Sequence, residues 1–221
     1  MFSFTPHPVV AAAAAQLRVS DLSVGQGDWQ LCRGWSHAWV PGVHLLQGGD
    51  GAGKSSILRV LAGAAPLRAG QVQWAGQAGM PTTVFWVDPR QPVLPALFKD
   101  TPQQWSAHLA LHYPRWDAAQ WQAHVQHWQL HEALVKPWHA LSTGTARKLW
   151  MAAGFASGAA LVLVDEPIAG LDRPSVAYLR EVLAARATQA APLPQWLLVA
   201  HYDDLNGVPW RSVVELEALP Q

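Results

Sequence analysis

The sequence predicts an α/β protein with a mainly parallel sheet, an N-terminal antiparallel β region and an inserted α-helical subdomain. Two runs, 160–164 and 196–200, are apolar throughout, which is typical of strands buried on both faces of a parallel sheet. Strand-like and helix-like patterns alternate after residue 55, which favours parallel strands joined by helical crossovers. Residues 92–140 carry helical patterns rich in Trp and His, and we interpret them as an insertion.

The chain of 221 residues is long enough for a single domain of this kind with its insertion. We assign about 17–91 and 151–216 to the core of that domain and about 92–150 to the helical subdomain. Residues 1–15 are rich in alanine and lack the basic start of a secretory signal, so we expect a loosely ordered leader.

Composition narrows the function classes. Fifteen basic and fifteen acidic residues leave no net charge, whereas a duplex-binding protein usually shows a basic surplus, so no nucleic-acid partner is expected. The single Cys32 excludes an internal disulfide framework and is consistent with a reducing compartment. No apolar run approaches the roughly 20 residues that span a bilayer, so we expect any membrane role to depend on a partner.

The elements follow from local patterns. Residues 17–46 read as short strand-like pieces separated by Gly25, Gly27 and Gly34. The expected strands are then 43–46, 72–74, 83–87, 160–164, 196–200 and 212–216. The expected helices are 56–62, 102–112, 118–134, 142–156 and 174–187. In the third of these helices an apolar face is formed at i, i+4 and i+7 by Trp121, Val125 and Trp128.

A glycine-rich loop separates the first of these strands from the first helix. It matches the pattern G-x-x-x-x-G-K-[ST] with the residues Gly48-Gly49-Asp50-Gly51-Ala52-Gly53-Lys54-Ser55. Such a loop turns its N–H groups into an anion site, and the helix that follows points its positive dipole end at the phosphates. The motif therefore predicts a P-loop NTPase, with a phosphate site lined by Gly49, Asp50, Gly51, Ala52, Gly53, Lys54, Ser55 and Ser56.

Polar residues follow two of the buried strands. Asp165 and Glu166 come directly after 160–164, and His201 follows 196–200. Because ligands of parallel sheets bind at the carboxyl ends of strands, we expect these side chains near the glycine-rich loop. Asp165 can then orient Mg²⁺ alongside Ser55, and Glu166 can face the γ-phosphate and its attacking water.

A third motif, Leu141-Ser142-Thr143-Gly144-Thr145, lies just before a predicted helix and ahead of the Asp165 strand. Here the chain resembles the ATP-binding-cassette (ABC) ATPases, whose signature L-S-x-G-x stands between the two nucleotide motifs. Gly170-Leu171-Asp172 resembles the D-loop of that family, and His201 resembles its switch histidine. The resemblance extends over roughly residues 17 to 216, and five motifs in order are more specific than any one alone.

The resemblance implies an ATPase that uses ATP and Mg²⁺ within a head-to-tail pair of ABC ATPase subunits, identical or different. Each ATP would lie between the phosphate loop of one subunit and the signature of the other. Ser142 and Gly144 suit that position, because a helix N-terminus presents N–H donors to a γ-phosphate. ATP would hold the subunits together, and hydrolysis would release them.

Individual roles also follow from the resemblance. It assigns the β/γ-phosphates to Lys54, the Mg²⁺ ion to Ser55 and Asp165, the attacking water to Glu166, and the γ-phosphate to His201. Asp172 would communicate across the dimer. The glutamine that the family uses at the nucleotide and metal is best matched by Gln91, with Asp88 as the rival.

The chain departs from the family pattern at two places. The family usually has an aromatic residue under the adenine, just before a glycine, where this chain has Gln26 before Gly27; Trp29 is the possible substitute. The signature carries Thr143 and Thr145 where Gly and Gln are commoner, which predicts weaker contacts to the γ-phosphate.

Partners and location follow from the resemblance as well. It implies a separately encoded integral membrane permease and a cytoplasmic position against the inner face of the membrane. Tyr113-Pro114-Arg115-Trp116-Asp117 and Thr143 resemble a subgroup that serves small exporters. Six tryptophans in or beside the insertion either fill the core or anchor that partner: Trp105, Trp116, Trp121, Trp128, Trp138 and Trp150.

Two other functions are alternatives to a transport ATPase. A soluble ABC-type switch or regulatory protein without transport is the alternative within the same fold. A nucleoside kinase would need several arginines near the phosphates, and residues 96–140 contain only Arg115. The sequence thus favours an ATPase that powers a transporter, in the export direction.

Overall fold

A computed structural model of the chain describes residues 16–26, 29–74, 77–79, 83–89, 100–189 and 194–217. The expected leader, 1–15, lies outside the described residues. The same holds for Gly27 and Gln91 and for the side chains of Gln26 and Trp29, so the expectations placed on them stay predictions.

The described residues form nine strands and five α-helices. The strands are β1 (Leu17–Gln26), β2 (Trp29–Trp39), β3 (Gly42–Gln47), β4 (Ala69–Trp74), β5 (Gln77–Ala78), β6 (Val84–Trp86), β7 (Leu161–Asp165), β8 (Trp196–His201) and β9 (Ser212–Glu215). The helices are α1 (Lys54–Leu61), α2 (Pro102–His112), α3 (Ala118–His127), α4 (Thr143–Ala156) and α5 (Arg173–Thr188). Among these described elements, no helix has both the length and the apolar content that a bilayer span needs.

Two sheets organise these elements. The larger sheet has the order β6-β7-β8-β3-β9, and all its pairings are parallel. The smaller sheet has the order β2-β1-β4-β5, and all its pairings are antiparallel. The predicted fold class is therefore confirmed, and solved structures described below share it.

The parallel sheet is buried on both faces because its strands alternate their side chains between two apolar cores. In β8, Leu197 and Val199 join one core, whereas Trp196, Leu198 and Ala200 join the other. Helices α4 and α5 cover the first face, and α1 with the antiparallel sheet covers the second. This double burial is the physical reason that β7 and β8 are apolar at every position before their last residue.

Four of the five described α-helices begin at a residue whose short polar side chain binds a backbone N–H group that has no partner within the helix. Helices α2, α3, α4 and α5 start after Thr101, Asp117, Ser142 and Asp172, and each side chain accepts a hydrogen bond from a backbone N–H in the first turn. Helix α1 differs, because it starts at Gly53 in the left-handed conformation with no side-chain cap. Its first N–H groups are thus kept for a ligand.

The tryptophans of the helical segment pack inward. Trp105, Trp121, Trp128, Trp138 and Trp150 are all buried, with 2% to 7% of each residue exposed. The rings of Trp105 and Trp138 meet edge to face, with centroids 5.1 Å apart. The sixth, Trp116, is half-buried and packs against the same core. Core filling therefore accounts for these rings, and they are not exposed anchors in this chain.

Two expected elements differ from the structure. The β region at 17–46 is not a set of short pieces: β1 and β2 pair along their length, and shifts of register between Val19 and Gly25 absorb the irregularity. The helix expected at 118–134 ends at His127, since Gln129 adopts a positive φ of 55° and turns the chain. The division into core and helical subdomain stays a prediction.

Buried histidines predict acid sensitivity of the fold. Burial lowers the pKa of His44 and of His124 to about 4, against 6.5 for an ordinary histidine. As the pH falls from 6.5 towards 4, the unfolded chain binds protons that the folded chain does not, so stability is lost. We expect the free energy of unfolding to fall by roughly 2 kcal/mol per histidine between pH 7 and pH 5.

Urea unfolding of wild type and His44→Gln at these two pH values measures the effect. The variant is expected to lose less stability between pH 7 and pH 5 than wild type. His108→Gln removes an exposed histidine and should retain the wild-type pH dependence. Equal pH dependence of wild type and His44→Gln would contradict the assignment.

Candidate nucleotide site

The glycine-rich loop follows β3 and curls around the start of α1. Gly51 and Gly53 have φ angles of 78° and 90°, a region that residues with a Cβ rarely adopt. A Cβ placed at Gly49 or Gly51 would meet no atom within 4 Å, so the loop is open to solvent at these two positions. The loop thus has the shape of an anion cradle, with the N-terminus of α1 at its base.

Lys54 occupies the inside of this loop. Only 6% of the residue is exposed, and its Nζ donates hydrogen bonds to the carbonyl oxygens of Gly48 at 2.6 Å and Gly49 at 3.0 Å. The same ammonium lies 3.8 Å from Glu166 Oε1. A buried ammonium held by carbonyl oxygens at the loop is a charge placed to receive phosphate oxygens.

Glu166 has an unusual backbone and a fully engaged side chain. Its φ of 47° is uncommon for a residue with a side chain, and its N–H donates to Ala200 O at 2.9 Å, which holds that conformation. Its Oε2 accepts a hydrogen bond from His201 Nδ1 at 2.8 Å. His201 is 1% exposed, and its Nε2 lies 3.5 Å from Asp203 Oδ1 without a hydrogen bond.

These contacts decide the charge of Glu166. Burial raises the pKa of its carboxyl, but the hydrogen bond from His201 and the positive charges of His201, Lys54 and Arg147 act the other way and leave the pKa below its usual value. Glu166 is therefore a carboxylate at neutral pH, able to accept a proton or orient a water molecule.

The predicted loop residues meet Asp165 and Glu166 at one cavity of about 440 Å³, whereas His201 contacts Glu166 and is not among the lining residues. It is lined by Gly49, Asp50, Gly51, Ala52, Gly53, Lys54, Ser55, Ser56, Pro89, Arg147, Asp165, Glu166 and Ala169. Asp165 is the last residue of β7, pairs in register with Ala200 of β8, and lines the cavity with a buried side chain. The hydroxyl of Ser55 and the carboxylate of Asp165 line the same cavity and are oxygen donors of the kind that fits Mg²⁺.

The signature residues lie outside that cavity. Ser142 is the N-cap of α4, its Oγ accepts from Thr145 N at 3.1 Å, and its side chain is exposed. A Cβ on Gly144 would lie 2.2 Å from the carbonyl oxygen of Gly170, so α4 touches the D-loop backbone directly. The structure therefore separates Ser142 and Gly144 from the phosphate loop of their own chain.

Asp172 stabilises the start of α5 and the contact between the D-loop and α4. It caps α5 by accepting from Ser175 N at 2.8 Å and pairs with Lys148 Nζ at 3.3 Å. Hydrogen bonds from Ser175 come first among the causes that lower the pKa of Asp172. The ion pair ties the D-loop to α4, but it does not bring Asp172 into the cavity.

The sequence patterns did not predict Arg147 as a cavity residue. Arg147 lies one turn inside α4 and is 8% exposed, yet its position beyond the signature carried no recognised pattern.

Asp88, the rival of Gln91, has its Oδ2 bound by Arg59 Nε at 2.9 Å and Nη2 at 2.6 Å. That carboxylate is therefore turned towards α1.

A phosphate cradle at the end of β3, faced by carboxylates from β7 in a parallel sheet, makes this chain a P-loop nucleotide-binding domain. Residues 41–169, more than half of the chain, match the family model described as "ABC transporter". The chain therefore belongs to the ABC transporter family, as an ATP-binding subunit that hydrolyses ATP.

Relatives and solved structures agree with this family. The chain is 29% identical over 201 residues, 90% of its length and 88% of the relative, to the cytochrome c biogenesis ATP-binding export protein CcmA of Paracoccus denitrificans. It is 31% identical over 183 residues, 80% of its length and 66% of the relative, to the zinc import ATP-binding protein ZnuC of Halorhodospira halophila. A putative ABC transporter ATP-binding protein from Pyrococcus furiosus has the same fold, with a TM-score of 0.70, 17% identity and coverage of 91% of this chain and 97% of that one.

The contact between α4 and the D-loop predicts a specific sensitivity. Gly144→Ala would place a methyl group against the carbonyl of Gly170, and relieving that overlap requires the two backbones to separate. We expect a loss of about 1–3 kcal/mol in the free energy of unfolding, measured by urea denaturation. Thr143→Ala alters an exposed residue of the same turn and should have a much smaller effect. An unchanged stability of Gly144→Ala would refute the tight contact.

Proposed function

We propose that this ATPase closes head-to-tail with a second ABC ATPase subunit around ATP and Mg²⁺, and that this cycle drives a separately encoded membrane permease in the export direction. The observation that carries the proposal is the position of Ser142 and Gly144, outside the cavity of their own chain at the N-terminus of α4. That terminus offers N–H donors and a positive dipole end to a phosphate that another subunit holds.

Binding of the nucleotide is assigned to the loop and the start of α1. The N–H groups of 49–55 enclose the phosphates, and Lys54 contacts the β- and γ-phosphates. To do so its ammonium leaves the carbonyl oxygens of Gly48 and Gly49, which it holds in the structure. Ser55 and Asp165, which line the same cavity, would hold Mg²⁺, whose charge would neutralise phosphate oxygens.

Hydrolysis is assigned to Glu166 and His201. The carboxylate of Glu166 accepts a hydrogen bond from the attacking water and orients that water towards the γ-phosphorus, where a P–O bond forms as the bond to ADP breaks. His201 holds Glu166 through Nδ1, which leaves Nε2 for the γ-phosphate oxygens. A contact of His201 with both Glu166 and the γ-phosphate would couple closure of the two subunits around ATP to the position of the attacking water.

Transport in the export direction rests on the relatives. The CcmA proteins are named export proteins, whereas the ZnuC relative is named for import and shares a smaller part of its length with this chain. These names favour transport over a soluble switch. We place the chain at the cytoplasmic face of the membrane, attached through the permease, with Asp172 and Gly170 at the contact between the two ATPase subunits.

Glu166→Gln tests the catalytic assignment. The amide keeps the shape of the carboxylate but accepts protons poorly, so ATP should still bind while steady-state hydrolysis falls roughly 10²-fold or more. ATP that is bound but not hydrolysed should also shift the variant from monomer to dimer in analytical ultracentrifugation. Glu181→Gln, an exposed glutamate of α5, is the control and should hydrolyse ATP like wild type. Wild-type turnover by Glu166→Gln would sink the assignment.

Fractionation of cells that express the tagged chain at native level tests the permease. We expect it to sediment with membranes and, after gentle detergent extraction, to copurify with a multi-spanning protein identified by mass spectrometry. Washing the membranes at high salt separates a weak electrostatic attachment from a specific complex, which should survive. Recovery of the chain only as a free protein would contradict the transport proposal.

A further inference from the structure

Arg147 is a buried cation in the nucleotide cavity. It lies on α4, five positions after the helix cap Ser142, and faces the interior of the protein, with 8% of the residue exposed. It shares the cavity wall with Lys54, Asp165 and Glu166. Removing a guanidinium from water is costly; Asp165 and Glu166 offset part of that cost, and a partner with negative charge that enters the cavity would offset more.

The contacts of Arg147 leave capacity for such a partner. Its Nη1 donates to the carbonyl oxygen of Ala169, in the turn after Glu166. A guanidinium has five N–H donors, and within the described residues this is its one side-chain hydrogen bond that the geometry defines. Burial lowers the pKa of Arg147, while Asp165 and Glu166 raise it, and an arginine remains charged at neutral pH in such surroundings.

We propose that Arg147 binds the γ-phosphate of the ATP held by its own chain and thereby lets that chain distinguish ATP from ADP. This inference rests on the proposed function, because it takes the cavity to be the nucleotide site. A planar guanidinium can donate two parallel hydrogen bonds to one phosphate group, which a single ammonium such as that of Lys54 does not. Arg147 and Glu166 line the same cavity, and Arg147 binds the turn that follows Glu166, so these donors lie near the carboxylate assigned to the attacking water.

Because Arg147 lies on α4, its contact with the γ-phosphate would also affect the nucleotide of the second subunit. The N-terminus of α4 carries Ser142 and Gly144, which we assign to the nucleotide of the second subunit, whereas Arg147 faces the nucleotide of its own chain. The helix also touches the D-loop, with Gly144 against Gly170 and Lys148 paired with Asp172. A shift of α4 after one ATP is hydrolysed would therefore change the contacts of both nucleotides.

A purely structural role is the competing explanation. In that case Arg147 would serve only to hold the turn at Ala169, and its loss would weaken binding of ATP and ADP to the same degree. A γ-phosphate ligand affects the two nucleotides differently, because ADP lacks the group that Arg147 contacts. The ratio of the two affinities therefore separates the explanations.

Calorimetric titration of Arg147→Gln with the non-hydrolysable analogue AMP-PNP and with ADP, each with Mg²⁺, measures this ratio. The protein is kept dilute enough to be monomeric by ultracentrifugation, so that no second subunit contributes. We expect AMP-PNP to bind about tenfold more weakly than to wild type or weaker still, as loss of a charge-assisted contact implies, with ADP affinity within about twofold. Equal losses for both nucleotides, or no loss for either, would overturn the proposal.

Three further variants make the outcome specific. Lys136→Gln removes one positive charge from an exposed site and should leave both affinities unchanged. If Arg147→Gln does not unfold cooperatively, Arg147→Lys replaces it; its shorter ammonium should also weaken AMP-PNP more than ADP, and an unchanged ratio overturns the proposal. Lys54→Ala should lose both nucleotides. Wild-type binding by Lys54→Ala contradicts the proposed function itself, whereas loss by Lys54→Ala with an unchanged ratio in Arg147→Gln contradicts this inference alone.

Discussion

The parallel pairing of β3, β7 and β8 is the constraint on which the rest of this structure depends. Their register places Asp165 beside Ala200 and Gln47 beside His201, so three strands end at the same level. The glycine-rich loop begins where β3 ends, and the carboxylates begin where β7 ends. Both faces of the sheet pack against a core, and a shift by one residue would turn every side chain of a strand to the opposite core, where it would no longer fit its neighbours.

Opposite charges are the second organising feature of the cavity. Lys54 and Arg147 supply two positive charges and Asp165 and Glu166 supply two negative charges, on walls that come from separate elements, and the exposed Asp50 of the loop adds a third negative charge. Lys54 is occupied by loop carbonyl oxygens and Glu166 by His201 in the structure. The opposite charges hold each other at the site in a low-dielectric setting, and an entering phosphate must rearrange them.

Helix α4 joins the nucleotide cavity to the outer surface. Its middle packs against the core around Leu149 and Phe155, its first turn is exposed at Ser142, and Arg147 lies between these regions. Contacts at Gly144 and Lys148 attach the D-loop to the same helix. One helix thus lines the cavity, contacts the D-loop and carries the exposed first turn.

Much of the fold and most of the site could be predicted from sequence, because the deciding signals are local. Continuous apolar runs predict the strands β7 and β8. The loop at 48–55 is predicted by the residue types that its backbone shape requires. Other features depend on contacts between distant residues. No local sequence pattern distinguishes three of these features from their alternatives: the long pairing of β1 with β2, the end of α3 at His127 and the inward packing of the tryptophans.

By itself, the sequence determined where the glycine-rich loop lies and which strands lie inside, since glycine spacing and apolar periodicity are properties of the chain. Only the tertiary structure decided that Glu166 takes a left-handed backbone held by Ala200 and His201, that Asp88 turns to Arg59, and that Arg147 enters the cavity. Each of these depends on the packing of one element on another. A side chain buried between two elements is directed by both of them, and no spacing along one element reveals that direction.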